Sequence, residues 1–187
     1  MPLDALCLSG VVHELQNALS GAKIDKIYQP GRDEVVLALR APAGNVKLLL
    51  SANPGHPRAN LTTLNRENPE QPPMFCMLLR KHLQGARILE LNQPPLERIL
   101  EFRLETLDEL GDRVERRLVL EAMGRSANLL LLDGEGRIID CIRRVDGDLG
   151  RGQRQLLPGL FYRQPPAPDK LNPFTIEPEE LRLVLEN

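Results

Sequence analysis

The sequence is poor in aromatic side chains, and this absence disfavours one large class of nucleic-acid-binding proteins. It contains no tryptophan, two tyrosines and four phenylalanines among 187 residues. Proteins that bind single strands by stacking bases need several aromatic rings on one surface. Charge does not compensate, because 24 Lys and Arg residues are offset by 26 Asp and Glu residues, for a net charge of −2. The composition is therefore not that of a protein that coats nucleic acid.

Cysteines, histidines and glycine motifs are too few or too scattered for the common catalytic and metal sites. Cys7, Cys76 and Cys141 are odd in number and far apart, which argues against a disulfide framework and a CxxC zinc site. The three histidines form no HxH or HxxxH pair, and zinc sites on helices and strands use such spacings. No GxSxG, GxxxxGK(S/T) or GxGxxG motif is present. We therefore predict no metal, no cofactor and no catalytic residues.

Long apolar segments are also missing. No apolar run approaches the roughly 18 residues that a membrane-spanning helix needs, so we expect no membrane partner. The N-terminal stretch carries Asp4, His13 and Glu14 without a basic lead, which is not typical of a secretory signal. These features predict a cytoplasmic protein whose length suits one domain and the start of a second.

Two segments have the period of amphipathic helices. Residues 4–20 place leucines and valines at helical spacing, with Asp4 as the expected N-cap and Gly21 as the stop. Residues 74–85 follow two prolines, which suit the first turn of a helix, and carry their cations near the C-terminal end. We predict one α-helix in each segment.

Short apolar runs separated by turn signals predict β-strands. Short connections between successive strands favour antiparallel pairing. The order helix, strands, helix, strands predicts an α+β fold, a mostly antiparallel sheet of sandwich or pseudo-barrel form with two main helices. Residues 52–63 and 146–172 are predicted to be irregular. The predicted strands cover residues 22–30, 34–40, 45–51, 86–92, 97–105, 116–123, 127–133 and 137–145.

Two segments carry polar side chains among the predicted strands. Glu97 and Arg98 follow a double proline at the start of one strand. Glu121 ends another strand and precedes Gly124 and Arg125, a turn whose backbone amides can approach a phosphate closely. From these residues alone, a solvated strand start is an equally open interpretation of the first segment, and the second is most simply an ordinary tight turn.

Seven segments together resemble the N-terminal NFACT domain of the bacterial RqcH or fibronectin-binding protein A-like family, which has NEMF as a eukaryotic relative. The resemblance implies a fold similar to the N-terminal domain of Fpg/Nei-type DNA glycosylases. It also implies that residues 1–172 form the NFACT N-terminal domain and that 173–187 begin a following helix-hairpin-helix domain. The matching segments are residues 5–15, 23–30, 48–62, 68–88, 109–112, 121–133 and 157–173.

The same resemblance implies a recognition module for ribosome-associated quality control rather than an enzyme. Members of the family bind a large ribosomal subunit that is obstructed by peptidyl-tRNA on a stalled nascent chain. They recruit tRNA, alanyl-tRNA in bacteria, and support template-free C-terminal tailing of that chain. Peptide bond formation is then expected from the ribosome, and the expected partners are the large subunit, its ribosomal RNA and tRNA.

Site residues follow from matching the family's motifs to this sequence. Its Asp-Arg pair falls on Glu97 and Arg98, so the carboxylate here is one methylene longer. Its Glu-Ile-Met-Gly-Arg-His stretch falls on residues 121–126, with Ala122 and Ser126 as departures. We expect the arginines to contact phosphates or base edges and the glutamates to orient them. The resulting tRNA-binding set is Glu97, Arg98, Glu121, Met123, Gly124 and Arg125.

Two alternatives remain beside this hypothesis. The family's older label suggests a surface adhesin with fibronectin as partner, although the sequence shows neither a signal nor an anchor. A DNA glycosylase/AP-lyase would use Pro2 as a terminal amine. Such an enzyme needs a carboxylate directly after the proline, and Leu3 stands there instead.

Overall fold

The first helix begins at its predicted cap. In the computed structural model, which describes residues 4–166, helix α1 spans Ala5–Leu19. The Asp4 carboxylate accepts a 2.7 Å hydrogen bond from the Cys7 amide, which would otherwise lack a partner in the first helical turn. Leucines at helical spacing are buried along one side of α1. The prediction of this helix and of its cap is confirmed.

The second helix follows the double proline, as predicted. Helix α2 spans Met74–Leu83 with Pro73 at its N-cap position. Phe75 and Leu79 are among its buried residues, whereas Met77 is 57% exposed. The last turn holds three basic side chains, where the partial negative charge of the helix end favours cations.

Nine strands form one antiparallel sheet in the described part of the chain. Their spatial order is β4-β3-β2-β1-β5-β6-β7-β8-β9, so the sheet is open and has β4 and β9 as its edges. The predicted α+β class with a mostly antiparallel sheet and two helices is confirmed. The strands are β1 (Lys23–Gly31), β2 (Glu34–Ala41), β3 (Gly44–Ser51), β4 (Arg58–Thr62), β5 (Arg87–Asn92), β6 (Ile99–Leu107), β7 (Arg113–Glu121), β8 (Asn128–Leu132) and β9 (Ile138–Cys141).

Strand β4 corrects the prediction that residues 52–63 are irregular throughout. The prolines and glycine of that segment precede Arg58, and residues 58–62 pair with β3 from Ser51 to Lys47. The composition of this short segment does not predict a strand, and its strand conformation comes from pairing with β3.

The core lies against one face of the sheet, and a smaller core covers part of the other. The main core contains buried leucines from both helices and from both halves of the sheet, including Leu37, Leu50 and Leu120. On the opposite face, Val119, Leu130 and Leu156 belong to the smaller core. Residues after β9 therefore fold back over the outer face of β7 and β8.

Several predictions concern residues that the structure does not describe. Pro2 and Leu3, on which the lyase alternative depends, lie outside residues 4–166, as does the proposed next domain from residue 173. Within the described residues, neither helix has the length and apolar character needed to cross a bilayer. The same residues contain no cluster of three or more His, Cys, Asp or Glu side chains suited to a metal ion.

Candidate functional site

The sheet register brings the two polar segments to the same end of neighbouring strands. Ile99, the first residue of β6, lies opposite Glu121, the last residue of β7. One residue further out, the Ala122 amide donates a 2.8 Å hydrogen bond to the Arg98 carbonyl. Asn128 of β8 lies opposite Glu121 on its other side. Residues that are more than twenty positions apart in sequence therefore meet in one place.

The loop before β6 is docked onto the beginning of α1. The Gln93 amide nitrogen donates to the carbonyl oxygens of Ala5, at 2.9 Å, and Glu97, at 2.8 Å. Leu96 has a φ of 58°, the one positive value among non-glycine residues of the described chain. A branched residue tolerates this conformation only where surrounding contacts impose it. The loop thus has a fixed path that ends at Arg98.

Two guanidinium groups at this end of the sheet have no partner in the described chain. Within residues 4–166, no hydrogen bond or ion pair involves the side chain of Arg98 or Arg125, and Arg125 is exposed. The positive charge of Arg98 also acts on the Asp4 carboxylate. The hydrogen bond from Cys7 is the main reason that the pKa of Asp4 is lowered, and the Arg98 charge adds to it. Both arginines can therefore donate to a ligand.

Glu97 precedes Arg98 at the end of the same loop. It is 7% exposed, and its carboxylate oxygens make no hydrogen bond to other residues of the described chain. Its position beside Arg98 is consistent with the predicted site, whose binding role stays a prediction.

Glu121 does not orient Arg98 or Arg125, contrary to the expectation from the sequence. It is 0% exposed, and Arg154 binds both of its carboxylate oxygens, at 2.8 Å and 2.9 Å. The Tyr162 hydroxyl donates a third hydrogen bond of 2.8 Å to Oε2. The carboxylate therefore joins the strand end before the Arg125 turn to the segment after β9 instead of facing a ligand.

Burial and charge set the ionisation of these partners. Burial is the main reason that the pKa of Tyr162 is raised, and the adjacent Glu121 charge raises it further. Burial acts to lower the pKa of Arg154, but its hydrogen bond to Glu121 and the Glu121 charge outweigh this effect and the pKa is raised. The site thus holds a neutral phenol and a charged guanidinium around one carboxylate.

The turn after β7 is short and anchored at its far end. Gly124–Ser126 form a single 3₁₀ turn that begins after Met123, and Gly124 has a φ of 51° with open space where a Cβ would lie. The buried side chain of Asn128 donates to the Arg143 carbonyl at 2.7 Å and accepts from the Arg143 amide at 3.1 Å. The strand that follows the Arg125 turn is therefore tied to the segment after β9.

Three residues that support this site are not predicted from the sequence. Arg154 and Tyr162 lie in a stretch that is predicted to be irregular, and Arg143 lies at the end of a predicted strand. Arg143 donates to the Ala127 carbonyl at 2.9 Å and forms an ion pair with Asp33 at 2.8 Å. No motif marks them. The one available signal is a charged residue at the end of an apolar strand, which needs a partner once it is buried.

A family model and several known proteins match this chain. The model of NFACT N-terminal and middle domains matches residues 4–187. The chain is 40% identical over 182 residues to the Rqc2 homolog RqcH of Bacillus subtilis, covering 97% of this chain and 32% of that protein. It therefore spans about a third of the length of this curated relative.

Solved structures match equally well. The N-terminal domain of fibronectin-binding protein PavA from Streptococcus pneumoniae has a TM-score of 0.91 and 40% identity, covering 99% of this chain and 69% of that one. The N-terminal part of the fibronectin/fibrinogen-binding protein from Streptococcus suis has a TM-score of 0.90 and 40% identity, covering 97% and 68%.

Proposed function

The chain belongs to the family of NFACT N-terminal and middle domains, and from this membership we propose that it is the N-terminal part of a ribosome-associated quality control factor. The whole protein binds tRNA on an obstructed large ribosomal subunit in the cytoplasm. It supports template-free C-terminal tailing of the stalled nascent chain, and the ribosome forms the peptide bonds. The similarity to RqcH supports this role.

One observation carries the placement of the tRNA-binding surface. The β6–β7 register sets Arg98 beside the turn that bears Arg125, and neither guanidinium has a partner within residues 4–166. Arginine binds phosphate oxygens and base edges through several donors at once, and such charge-assisted hydrogen bonds are strong. We assign the contacts with tRNA to these two side chains.

The remaining predicted residues support those contacts. Met123 and Gly124 lead into the turn, and the left-handed conformation of Gly124 lets the backbone approach a ligand without a Cβ in the way. Glu97 supplies an acceptor for a base or ribose hydroxyl beside Arg98. Glu121 is a positioning residue, since its carboxylate is occupied by Arg154 and Tyr162.

Arginine substitutions in the full-length protein test this assignment. We expect Arg98→Ala and Arg125→Ala each to lower the tRNA retained on large subunits by about tenfold or more, because a charge-assisted hydrogen bond contributes roughly 1.5–3 kcal/mol. Arg144→Ala is the matched control, since that side chain is 60% exposed and already paired with Asp140 at 3.1 Å. Wild-type tRNA levels in both site variants would show that the surface is assigned wrongly.

Binding to fibronectin or fibrinogen is the second candidate function. It is favoured by the names of the similar solved structures, PavA and the Streptococcus suis protein. The test is equilibrium binding of the full-length protein to immobilised fibronectin at physiological salt. Saturable binding that survives Arg98→Ala supports this second function, whereas weak binding that disappears with salt indicates nonspecific charge attraction.

A further inference from the structure

Five cations face outward from four adjacent strands, and we call this set the cationic face. The inward side chains of these strands belong to the main core, which leaves alternate residues directed to solvent. Three of the five lysines of the sequence are in the set. Its members are Lys23 and Lys26 of β1, Arg40 of β2, Lys47 of β3 and Arg87 of β5.

Three of these cations stand in one row across the sheet. Lys23 lies directly opposite Arg40 on one side and Arg87 on the other. Hydrogen bonds of 2.8 Å flank the Lys23–Arg87 position, from Ile24 to Ala86 and from Ile88 to Ala22. This pattern defines a non-hydrogen-bonded pair, in which the Cα atoms are about 4.5 Å apart and the side chains are close. Like charges placed directly opposite destabilise a sheet, and an anion bound across the row removes that repulsion.

Acidic side chains near the cationic face leave most of its charge uncompensated. Asp25 pairs with Arg40 at 3.3 Å, and both side chains are substantially exposed. Glu105 lies opposite Arg87 in the register, but its ion pair is with Arg113 at 3.7 Å. The protein as a whole carries a net charge of −2, so this local excess of positive charge goes against the overall balance.

The shape and the polar groups of this face suit an RNA backbone. Two shallow grooves, of about 580 Å³ and 360 Å³, lie on the β1–β3 side of the Lys23–Arg87 pair and share Asp25, Ala38 and Lys47 in their lining. Asp25 is the carboxylate already paired with Arg40. Ala38 lies between Lys26 and Lys47 in the strand register, and its small side chain leaves room above the sheet. Thr62 lines the first groove and Tyr28 the second. Cations for phosphates, with hydroxyl groups and a ring nearby, are the donors and surfaces that RNA recognition uses.

The cationic face is separate from the surface assigned to tRNA. In the strand register, Arg87 lies opposite Glu105, near the far end of β6. Arg98, in contrast, precedes the first residue of that strand. Seven residues along a strand correspond to roughly 23 Å. The loop that ends at Arg98 is bound to the start of α1, through the hydrogen bond from Gln93 to the Ala5 carbonyl. One phosphate group therefore cannot contact both Arg87 and Arg98.

We propose that the cationic face binds the phosphate backbone of ribosomal RNA on the large subunit. The inference rests on the proposed function, in which a tRNA occupies the other surface and the factor needs its own contact with the subunit. Lys23 and Arg87 form the centre of the contact, because their close like-charge pair gains most from a bound phosphate.

The test compares two double variants of the full-length protein that have the same change in net charge. Lys23→Gln/Arg87→Gln removes the central pair, and Arg144→Gln/Arg151→Gln removes two exposed arginines that are already paired with Asp140 and Asp148. The probes are protein-free large-subunit ribosomal RNA, purified tRNA and a polyglutamate peptide, measured over a series of salt concentrations. Thermal unfolding reports whether each variant is folded.

We expect the central-pair variant to lose about tenfold or more in affinity for ribosomal RNA. The slope of log affinity against log salt should fall by about 2, one for each lost phosphate contact. Its melting temperature should be equal or higher, because a repulsive pair is removed. Affinity for tRNA should stay at the wild-type level, and the paired-arginine control should change neither RNA affinity.

Three results overturn the inference. The first is wild-type affinity and salt slope for ribosomal RNA in the central-pair variant. The second is an equal loss of tRNA and ribosomal RNA binding in that variant. The third is selective binding of polyglutamate by the wild-type protein, which would indicate an acidic protein partner. The variant Arg98→Ala distinguishes a failure of this inference from a failure of the proposed function. That variant should lose tRNA and keep ribosomal RNA, and if it keeps tRNA then the tRNA assignment fails independently.

Discussion

Arg154 holds the fully buried carboxylate of Glu121 through two hydrogen bonds, of 2.9 Å from Nη1 and 2.8 Å from Nη2. Nη1 also donates to the carbonyl of Arg163 at 2.8 Å. One guanidinium therefore joins the end of β7 to two points of the segment that follows β9. The turn that bears Arg125 begins three residues after Glu121, so its position depends on this buried pair.

We expect Arg154→Met to destabilise the chain by about 3–5 kcal/mol, since it leaves the buried Glu121 carboxylate without a counter-charge and with the Tyr162 hydroxyl as its remaining side-chain donor in the described chain. Glu121→Leu combined with Arg154→Met should recover much of that loss, because an apolar pair of similar size needs no charged partner. Urea unfolding of the 187-residue chain and its variants gives both free energies. Equal losses in the single and double variants would mean that the two side chains are not energetically coupled.

The phenol of Tyr162 makes stability depend on pH above 10. Its pKa is raised above the usual 10.0, so an unfolded phenol ionises before the folded one does. The folded state therefore keeps the full contribution of Tyr162 below pH 10 and loses it as the pH rises toward the folded pKa. Tyr162→Phe should cost roughly 1–3 kcal/mol at pH 7 through the lost hydrogen bond to Glu121.

Urea unfolding at pH 7, 9 and 10.5 should show a smaller fall in stability above pH 10 for Tyr162→Phe than for the wild-type chain. Tyr28 supplies the matched control, because Tyr28→Phe removes a hydroxyl that makes no hydrogen bond to other residues of the described chain. An identical pH profile for the Tyr162 variant would contradict the proposed role of this phenol.

Two glycines should respond to alanine in opposite directions. A Cβ on Gly147 would clash with the carbonyl oxygen of Arg154, so Gly147→Ala must displace the segment that holds Glu121. Gly10 lies inside α1, and apart from the backbone of its own helical turns no atom of the described chain comes within 4 Å of the place that a Cβ would occupy there. Gly10→Ala should therefore stabilise the chain by roughly 0.5–1 kcal/mol.

Thermal unfolding measures both glycine effects, and the Gly10 variant controls for the simple addition of a methyl group. Full-length Gly147→Ala should also retain less tRNA, since the Arg125 turn loses its support. A Gly147 variant as stable as the wild type would show that the segment before Arg154 adapts without disturbing the buried pair.

Local sequence patterns are enough to predict helices and strands whose structure depends on residues close to one another in the sequence. The Asp4 cap, the double proline before α2 and the short turns between strands each act through neighbours in sequence. These signals predict the α+β class, both helices and eight of the nine strands. Strand β4 escapes them because its order comes from pairing with β3 rather than from its own residues.

Side-chain partners across long sequence separations cannot be predicted in the same way. The meeting of Arg98 with the 121–126 segment follows from strand register, which short turns constrain and sequence matching suggests. The contacts of Glu121 join it to residues 33 and 41 positions away, in a segment without periodicity. Only the folded chain shows that this carboxylate faces Arg154 instead of a ligand.

Cysteine reactivity gives a final, independent measure of the structure. Cys7 is exposed, whereas Cys76 and Cys141 are buried. Burial is the main reason that the pKa of Cys76 is raised and that the pKa of Cys141 is raised to about 12. Because the thiolate is the reactive form, iodoacetamide at pH 8 should modify one cysteine in the native chain and all three in urea.

Asp4 should slow the reaction of the exposed thiol. Its hydrogen bond with the Cys7 side chain, and then its negative charge, raise the pKa of Cys7. Asp4→Asn removes the charge and keeps a good helix cap, so Cys7 should be alkylated faster while the helix content by circular dichroism stays the same. Mass spectrometry of timed samples locates the modified residue. Rapid native modification of Cys141 would mean that the segment after β9 opens readily, and a segment that opens this easily could not keep Arg154 bound to Glu121.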